Sequence, residues 1–91
     1  MIKKTLIVRN ELGLHLRSAA IIAKTSLRFK SKIELIKGDE VANAKSVLNI
    51  AGLGATMGTR LIVKAKGKDE VKAVEALEGL FESEFKENGE E

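Results

Sequence analysis

The chain's only histidine, His15, stands two positions before Arg17, where a strand-like apolar segment gives way to a helix-like pattern. A helix N-terminus leaves several backbone N–H groups without intrahelical partners, and the peptide dipoles favour an anion there by about 0.3 to 1 kcal/mol. Neutral imidazole is a nucleophile near pH 7, and a guanidinium can bind two phosphate oxygens at once. An imidazole at this position could therefore carry a phosphoryl group, with Leu16, Arg17 and Ser18 at the start of the helix as the candidate phosphate-binding residues.

The residues before the histidine support a turn at this point, because Asn10 and Gly13 are residue types that tight turns favour. The same local spacing is equally compatible with a surface histidine or with a histidine that only caps a helix. The choice between these interpretations depends on the rest of the chain.

Composition restricts the chemistry that the protein can perform. The 91 residues, 44% of them hydrophobic, predict one domain over residues 1–88 and a tail at 89–91. The chain has no cysteine and one histidine, so we expect no disulfide, no thiolate nucleophile, no metal site and no cofactor. Its apolar runs are too short to span a bilayer, and its start lacks the pattern of a signal peptide, so we expect a cytoplasmic protein.

Charge is distributed unevenly along the chain. Residues 1–69 contain 14 Lys and Arg against 5 Asp and Glu, whereas residues 70–91 contain 2 against 8. A positive face around His15 would speed encounter with acidic proteins, and it would equally suit nucleic acid. However, proteins that read single strands usually stack bases on aromatic side chains, and this chain has only three Phe and no Tyr or Trp.

The hydrophobic periodicity predicts seven elements in the order β-α-β-β-α-β-α. The first strand is Thr5–Val8, which we expect to be buried because it is short, β-branched and bounded by charged residues. Three more strands are expected at 32–36, 40–43 and 60–66, with a turn at Lys37-Gly38-Asp39 between strands 32–36 and 40–43. An antiparallel or mixed sheet with helices on one face is the economical packing of these elements, and the order of the strands is left open.

Apolar stripes define the two longer helices. The first runs from Leu16 to near Arg28, and the last begins at Glu70 after an Asp69 N-cap; residues 87–91 are expected to fray. The two predicted stripes, at helical spacing, are Leu16, Ala20, Ala23 and Leu27 in the first helix, and Val71, Val74, Leu77, Phe81 and Phe85 in the last.

Ser46 precedes one or two turns of helix at 47–51. Its simplest role is to cap this helix, while phosphorylation there would add a charge of about −1.5 to −2 that repels an acidic partner. Val47, Leu48 and Ala51 either belong to the core or form an exposed docking patch. The following run, 52–58, lacks the spacing and context of a dinucleotide or P-loop motif and instead predicts a helix end and a turn.

Read together, these motifs resemble the HPr family, the histidine-containing phosphocarriers of the bacterial phosphoenolpyruvate-dependent sugar phosphotransferase system. The similarity covers nearly the whole chain without gaps. It is carried by Gly13-Leu14-His15-x-Arg17 with Ala19-Ala20, Lys45-Ser46, Leu53-Gly54, Gly58, and Gly67-x-Asp69-Glu70 with Ala73. A series of motifs at fixed separations is far more specific than any one of them.

The resemblance implies an α+β open-faced β-sandwich, with a four-stranded antiparallel sheet covered on one face by three helices. It also implies a phosphoryl carrier, not a turnover enzyme, in which His15 receives the group on Nδ1 from Enzyme I and passes it to the IIA components of sugar transporters. Arg17 assists this transfer, and an HPr kinase/phosphorylase is a candidate partner that would phosphorylate Ser46. We expect a monomer that docks its partners through Ala20, Lys24, Leu27, Lys45, Val47, Leu48 and Ala51.

Two residues depart from the family pattern. Ser18 stands where proline is usual, which predicts a shifted helix start and supplies a hydroxyl that could bond the phosphate, and Asn49 replaces a commonly basic residue. Two rival functions stay open: a regulatory, nitrogen-type phosphorelay protein that serves no sugar transporter, and a small basic nucleic-acid-binding module.

Overall fold

Four strands form one antiparallel sheet in a computed structural model that describes residues 1–86. Along the sheet the order is β1-β4-β2-β3. The strands are β1 (Ile2–Ile7), β2 (Lys32–Lys37), β3 (Glu40–Asn43) and β4 (Arg60–Lys66), and the helices are α1 (Leu16–Ser26), α2 (Val47–Gly52) and α3 (Glu70–Glu82). The predicted element order and the predicted α+β class are confirmed, while the expected tail at 89–91 lies outside the described residues.

One face of the sheet is buried because side chains alternate along each strand. In β4, Leu61, Val63 and Ala65 are buried, as their spacing predicts, and in the register Leu61 lies opposite Leu6 of β1. The interpretation of Thr5–Val8 as a buried strand is wrong. Of the β1 residues only Leu6 is buried, because β1 is an edge strand with one face in solvent, and Val8 is buried beyond the strand's end.

Helix α1 packs through a different face from the one that its apolar stripe predicts. Of that stripe only Ala23 is buried, whereas Leu16 and Leu27 are 61% and 64% exposed and Ala20 is also exposed. The buried face consists of Ser18, Ala19, Ile22, Ala23 and Ser26. Both faces of α1 carry apolar residues, so the periodicity identifies a helix without showing which side meets the sheet.

Asp69 occupies the N-cap position of α3, as predicted, but its side chain does not cap that helix. Its carboxylate instead accepts hydrogen bonds from the backbone amides of Lys30 (2.9 Å) and Ser31 (3.0 Å) and from the Ser31 hydroxyl. The Ser31 hydroxyl contributes most to lowering the pKa of Asp69 to about 2, followed by the Lys30 amide. Asp69 therefore ties the start of α3 to the segment that enters β2.

The predicted stripe of α3 is buried except at its first residue, and its last residue lies beyond the end of the helix. Val74, Leu77 and Phe81 are buried, but Val71 is 53% exposed. Phe85 is buried outside the helix: Glu84 and Phe85 adopt positive φ values of 58° and 63°, and the Phe85 amide donates to the carbonyl of Leu80 at 2.8 Å. This turn places the Phe85 ring edge-on to Phe81, with 4.9 Å between the ring centroids.

The β2–β3 hairpin and α2 form largely as the sequence predicts. Gly38, at φ +60°, lies in the two-residue turn between the strands, and β2 extends one residue beyond the predicted end. No helix in residues 1–86 has both the length and the apolar character needed to cross a membrane.

Candidate functional site

His15 is the N-cap residue of α1, at the point where the chain leaves the loop after β1. Its Nδ1 accepts a hydrogen bond from the backbone amide of Arg17 at 3.2 Å. The first intrahelical bond runs from Ala19 N to His15 O at 2.8 Å, so the amides of the three residues between them precede the helical ladder. The Nδ1 lone pair thus points at the positive end of the helix dipole, and the ring proton of the neutral imidazole is on Nε2.

The loop before His15 is held from one side by the segment after α2. The Leu14 amide donates to the Ala55 carbonyl at 2.9 Å. Gly13 adopts φ +72°, and a Cβ atom there would collide with the same carbonyl oxygen. Only glycine meets both conditions without strain, so the close approach of Ala55 explains why glycine stands two residues before the histidine.

Asn10 holds the loop from within. Its Nδ2 donates to the Gly13 carbonyl at 2.8 Å, while its Oδ1 is buried without a hydrogen-bond partner among the described residues. The turn that Asn10 and Gly13 predict is therefore present, and it delivers His15 to the start of α1.

The predicted phosphate-binding residues Leu16, Arg17 and Ser18 form the first turn of α1, and they contribute in different ways. The side chains of Leu16 and Arg17 are exposed, whereas Ser18 is only 2% exposed. The Ser18 hydroxyl is occupied by backbone groups of the loop, which leaves the amides of this turn and the Arg17 guanidinium as the groups able to face an anion.

A cleft of about 360 Å³ opens beside His15 and Arg17. Sequence reasoning missed four of its lining residues, namely Ile21, Glu84, Phe85 and Lys86. The last three arrive there because the turn after α3 folds the chain back. The sequence does not predict that turn, because Glu84 and Phe85 adopt left-handed backbone conformations that are unusual for residues other than glycine. The cleft thus combines the cation Arg17 with a carboxylate and an ammonium from the distant end of the chain.

The predicted docking residues lie on or next to α1 and α2, which pack against each other. Ala20 and Lys24 are exposed on α1, Leu27 is exposed at its C-cap, and Leu48 of α2 is 76% exposed. The remaining three are half-buried: Val47 and Ala51, which pack against the core, and Lys45, whose ammonium donates to the Phe29 carbonyl at 2.8 Å. Leu48 is therefore exposed, whereas Val47 and Ala51 lie partly in the core, and a docking role for this helix stays a prediction.

Ser46 caps α2, with its Oγ accepting from the amide of Asn49 at 3.2 Å. The side chain is half-buried, so part of it faces solvent. Asn49 also contributes to this end of the helix, because its Oδ1 accepts from the Asn43 amide at 3.4 Å. Within residues 1–86 no three His, Asp or Glu side chains are grouped so as to hold a metal ion.

Comparison with known proteins assigns the chain to a family. Residues 2–83 match the family model described as the PTS HPr component phosphorylation site. The chain belongs to the PTS HPr family. The HPr family fold that the sequence motifs imply is thereby confirmed, since the sheet and helices described above are those of its solved members.

Relatives in this family match over almost their entire length. The phosphocarrier protein HPr of Treponema pallidum is 40% identical over 87 residues, which cover 96% of this chain and 99% of that protein. The phosphocarrier protein HPr of Xylella fastidiosa strain 9a5c is 44% identical over 89 residues, which cover 97% of this chain and 99% of that protein. The crystal structure of HPr-C-His from Thermoanaerobacter tengcongensis superposes with a TM-score of 0.91 at 39% identity, over 97% of this chain and 99% of that one.

Proposed function

We propose that the protein is a phosphoryl carrier that accepts a phosphoryl group on Nδ1 of His15 from phosphorylated Enzyme I and passes it to IIA components of sugar transporters. The observation that carries this proposal is the hydrogen bond between Nδ1 and the Arg17 amide, which aims the ring nitrogen at the first turn of α1. The names of the relatives, phosphocarrier proteins of the HPr type, agree with it.

The transfer forms one bond to phosphorus and breaks another. The lone pair on Nδ1 attacks phosphorus and forms a P–N bond, while the bond from phosphorus to the donor group of Enzyme I breaks and that group keeps the electron pair. Phosphoryl transfer passes through a loose transition state, so the carrier has to supply only a nucleophile, positioning and positive charge. The return step to a IIA component reverses these roles, and neither step requires a cofactor.

Arg17 contributes both its backbone and its side chain. When a phosphoryl group occupies Nδ1, its oxygens take the place of Nδ1 as acceptors for the Arg17 amide and for the neighbouring amides of Leu16 and Ser18. The exposed guanidinium closes over the remaining oxygens and stabilises charge as it develops. The carrier is therefore a chemically active reagent in the relay, not an enzyme with its own turnover.

Docking is proposed to use the exposed side chains next to the site. Leu16, Ala20 and Leu27 present apolar area on α1, and Lys24 adds a positive charge suited to an acidic partner. On α2, Leu48 extends the same kind of surface, with Val47, Ala51 and Lys45 at its partly buried edge.

Ser46 is proposed as a regulatory phosphorylation site for an HPr kinase/phosphorylase. A phosphate there is compatible with the N-terminus of α2, but it would add about −1.5 to −2 charge beside the docking residues and repel acidic partners. Ser46→Asp is expected to slow phosphorylation of His15, while Ser46→Asn, which retains a capping side chain, is expected to leave the rate near that of the wild type.

The central test is phosphorylation by phosphoenolpyruvate and Enzyme I, followed by mass spectrometry under conditions that preserve acid-labile adducts. We expect one added phosphoryl group on the wild type, none on His15→Ala, and normal labelling of Leu12→Ala, a matched control at an exposed neighbouring position. An acid-stable adduct, or labelling of His15→Ala, would contradict the proposal.

The receiving partner is tested in the same system with different IIA proteins. Transfer only to a nitrogen-type IIA would replace the sugar-transport role with the regulatory relay. Salt-dependent RNA binding without labelling from phosphoenolpyruvate would favour a nucleic-acid module, although Phe81 and Phe85 are buried in the core and Phe29 is half-buried. We further propose a monomer in the cytoplasm, which sedimentation of the purified protein and fractionation of cells would test.

A further inference from the structure

Ser18 is one of two serines on the buried face of α1, and the other buried residues of that face are apolar. We infer that its hydroxyl is a positioning group for His15, which keeps Nδ1 facing the Arg17 amide. This inference rests on the phosphoryl-carrier function proposed above, and it assigns to Ser18 a role that does not involve contact between the hydroxyl and phosphate.

The contacts of the hydroxyl are directed at the backbone around the histidine. Oγ accepts a hydrogen bond from the His15 amide at 3.0 Å and donates to the Gly13 carbonyl at 2.8 Å, with the His15 carbonyl at 3.2 Å as a second acceptor. A hydroxyl has one proton to donate and can accept two hydrogen bonds. Ser18 therefore connects the His15 amide to the Gly13 carbonyl, and the longer contact to the His15 carbonyl competes for the same proton.

The histidine is thereby fixed at two points by the first turn of its own helix. The Ser18 hydroxyl holds the His15 backbone, and the Arg17 amide holds the ring at Nδ1. If the bond from the His15 amide to the Ser18 hydroxyl is lost, the amide has no other hydrogen bond among the described residues, whereas the His15 carbonyl is still held by the Ala19 amide at 2.8 Å. Residue 15 can then turn about its N–Cα bond, and the ring can leave the Arg17 amide.

The rest of the loop is anchored independently of Ser18. Asn10 Nδ2 binds the Gly13 carbonyl, and Ala55 O binds the Leu14 amide. Removal of the Ser18 hydroxyl should consequently leave the loop folded while it loosens the orientation of His15. This separation makes a positioning role distinguishable from a role in stability alone.

The experiment compares three variants with the wild type. Ser18→Ala removes the hydroxyl, and Ser18→Thr retains it. Ser26→Ala is the matched control, because Ser26 is a buried serine of the same helix whose Oγ has no hydrogen-bond partner among the described residues. The two readouts are the tautomer of His15, from its ring nitrogen chemical shifts, and the rate of phosphorylation by Enzyme I, normalised to the folded fraction.

We expect the wild type, Ser18→Thr and Ser26→Ala to keep the proton on Nε2, and Ser18→Ala to show a mixture of tautomers. The rate for Ser18→Ala should fall by about 3- to 10-fold, which corresponds to one lost hydrogen bond in the reacting geometry. The threonine variant should retain most of the wild-type rate.

The inference is overturned if Ser18→Ala matches the wild type in tautomer and rate, or if Ser26→Ala loses as much of the normalised rate. A folded Ser18→Thr that behaves like Ser18→Ala also overturns it. A wild type that Enzyme I does not phosphorylate refutes the proposed function instead, and the tautomers of the unphosphorylated variants still decide whether Ser18 positions the ring.

Discussion

Gly13→Ala is expected to damage both the stability of the protein and its reactive site. Gly13 adopts φ +72°, a conformation that L residues other than glycine seldom adopt. An added Cβ would also collide with the Ala55 carbonyl oxygen, and that oxygen is the acceptor for the Leu14 amide at 2.9 Å. The substitution therefore introduces backbone strain and breaks the contact that holds the loop in front of His15.

The magnitude follows from these two effects. A left-handed backbone costs a residue with a Cβ about 1 to 2 kcal/mol, and the lost hydrogen bond costs about 0.5 to 1.5 kcal/mol. The free energy of unfolding should therefore fall by about 1.5 to 3.5 kcal/mol. Because His15 follows two residues later, the rate of phosphorylation by Enzyme I should fall as well.

Substitutions at two other glycines distinguish the effect of backbone strain from that of the collision with Ala55. Gly54 has φ +62° and nothing within 4 Å of the position a Cβ would take, so Gly54→Ala tests backbone strain alone. Gly52 has neither a positive φ nor a close neighbour, so Gly52→Ala should be neutral or stabilising by up to about 1 kcal/mol. Urea unfolding of the three variants measures the differences. If Gly13→Ala cost no more than Gly54→Ala, the collision with Ala55 would not matter and the reasoning would be refuted.

Three further predictions concern other parts of the molecule. The pKa of Asp69 is lowered from 3.8 to about 2, so the contribution of its carboxylate to stability is fully present above pH 3.8 and disappears as the pH falls towards 2. The difference in unfolding free energy between the wild type and Asp69→Asn should therefore shrink across that pH range. A difference that stays constant would show that the charge of the carboxylate is unimportant. Phe85→Ala should lower the unfolding free energy by about 3 kcal/mol because the ring is buried against Phe81, whereas Val71→Ala, an exposed position, should change it by less than about 0.5 kcal/mol; urea unfolding would show equal losses if the C-terminal turn did not pack as described. Arg17→Lys should slow phosphorylation by Enzyme I because an ammonium cannot bind two phosphate oxygens in the geometry of a guanidinium. Transfer at the wild-type rate in this variant would show that the guanidinium does not stabilise the transition state.

Local patterns predicted the parts of the fold that depend on neighbours in sequence. The sequence pattern over Arg60–Lys66 predicted the bounds of β4, and the turn residues at 37–39 predicted the β2–β3 hairpin. The capping role of Ser46 was also predictable, because a capping residue acts within its own helical turn. Asp69 occupies its predicted N-cap position, but its side chain binds residues far from α3 in sequence. The strand order β1-β4-β2-β3 was not, since β1 and β4 are joined by pairing between distant segments.

The reactive site also has features that the sequence predicts and features that it does not. His15, Arg17 and their place at a helix start could be read from residue types and spacing, but the contacts that orient the ring could not. Ser18 holds the His15 backbone because the helix begins at Leu16, and Glu84, Phe85 and Lys86 reach the cleft through an unusual turn. Neither feature has a composition or a period that marks it in advance.

By itself the sequence determined which segments become helices and strands, and that a lone imidazole stands at the start of a helix, because capping, turn chemistry and side-chain alternation act over a few residues. Tertiary structure alone decided which face of α1 is buried, where Asp69 directs its carboxylate and how residues 84–86 reach the cleft beside His15. Those outcomes depend on packing between segments far apart in the chain, where the burial of one apolar face in preference to another is settled by the shape of the whole core.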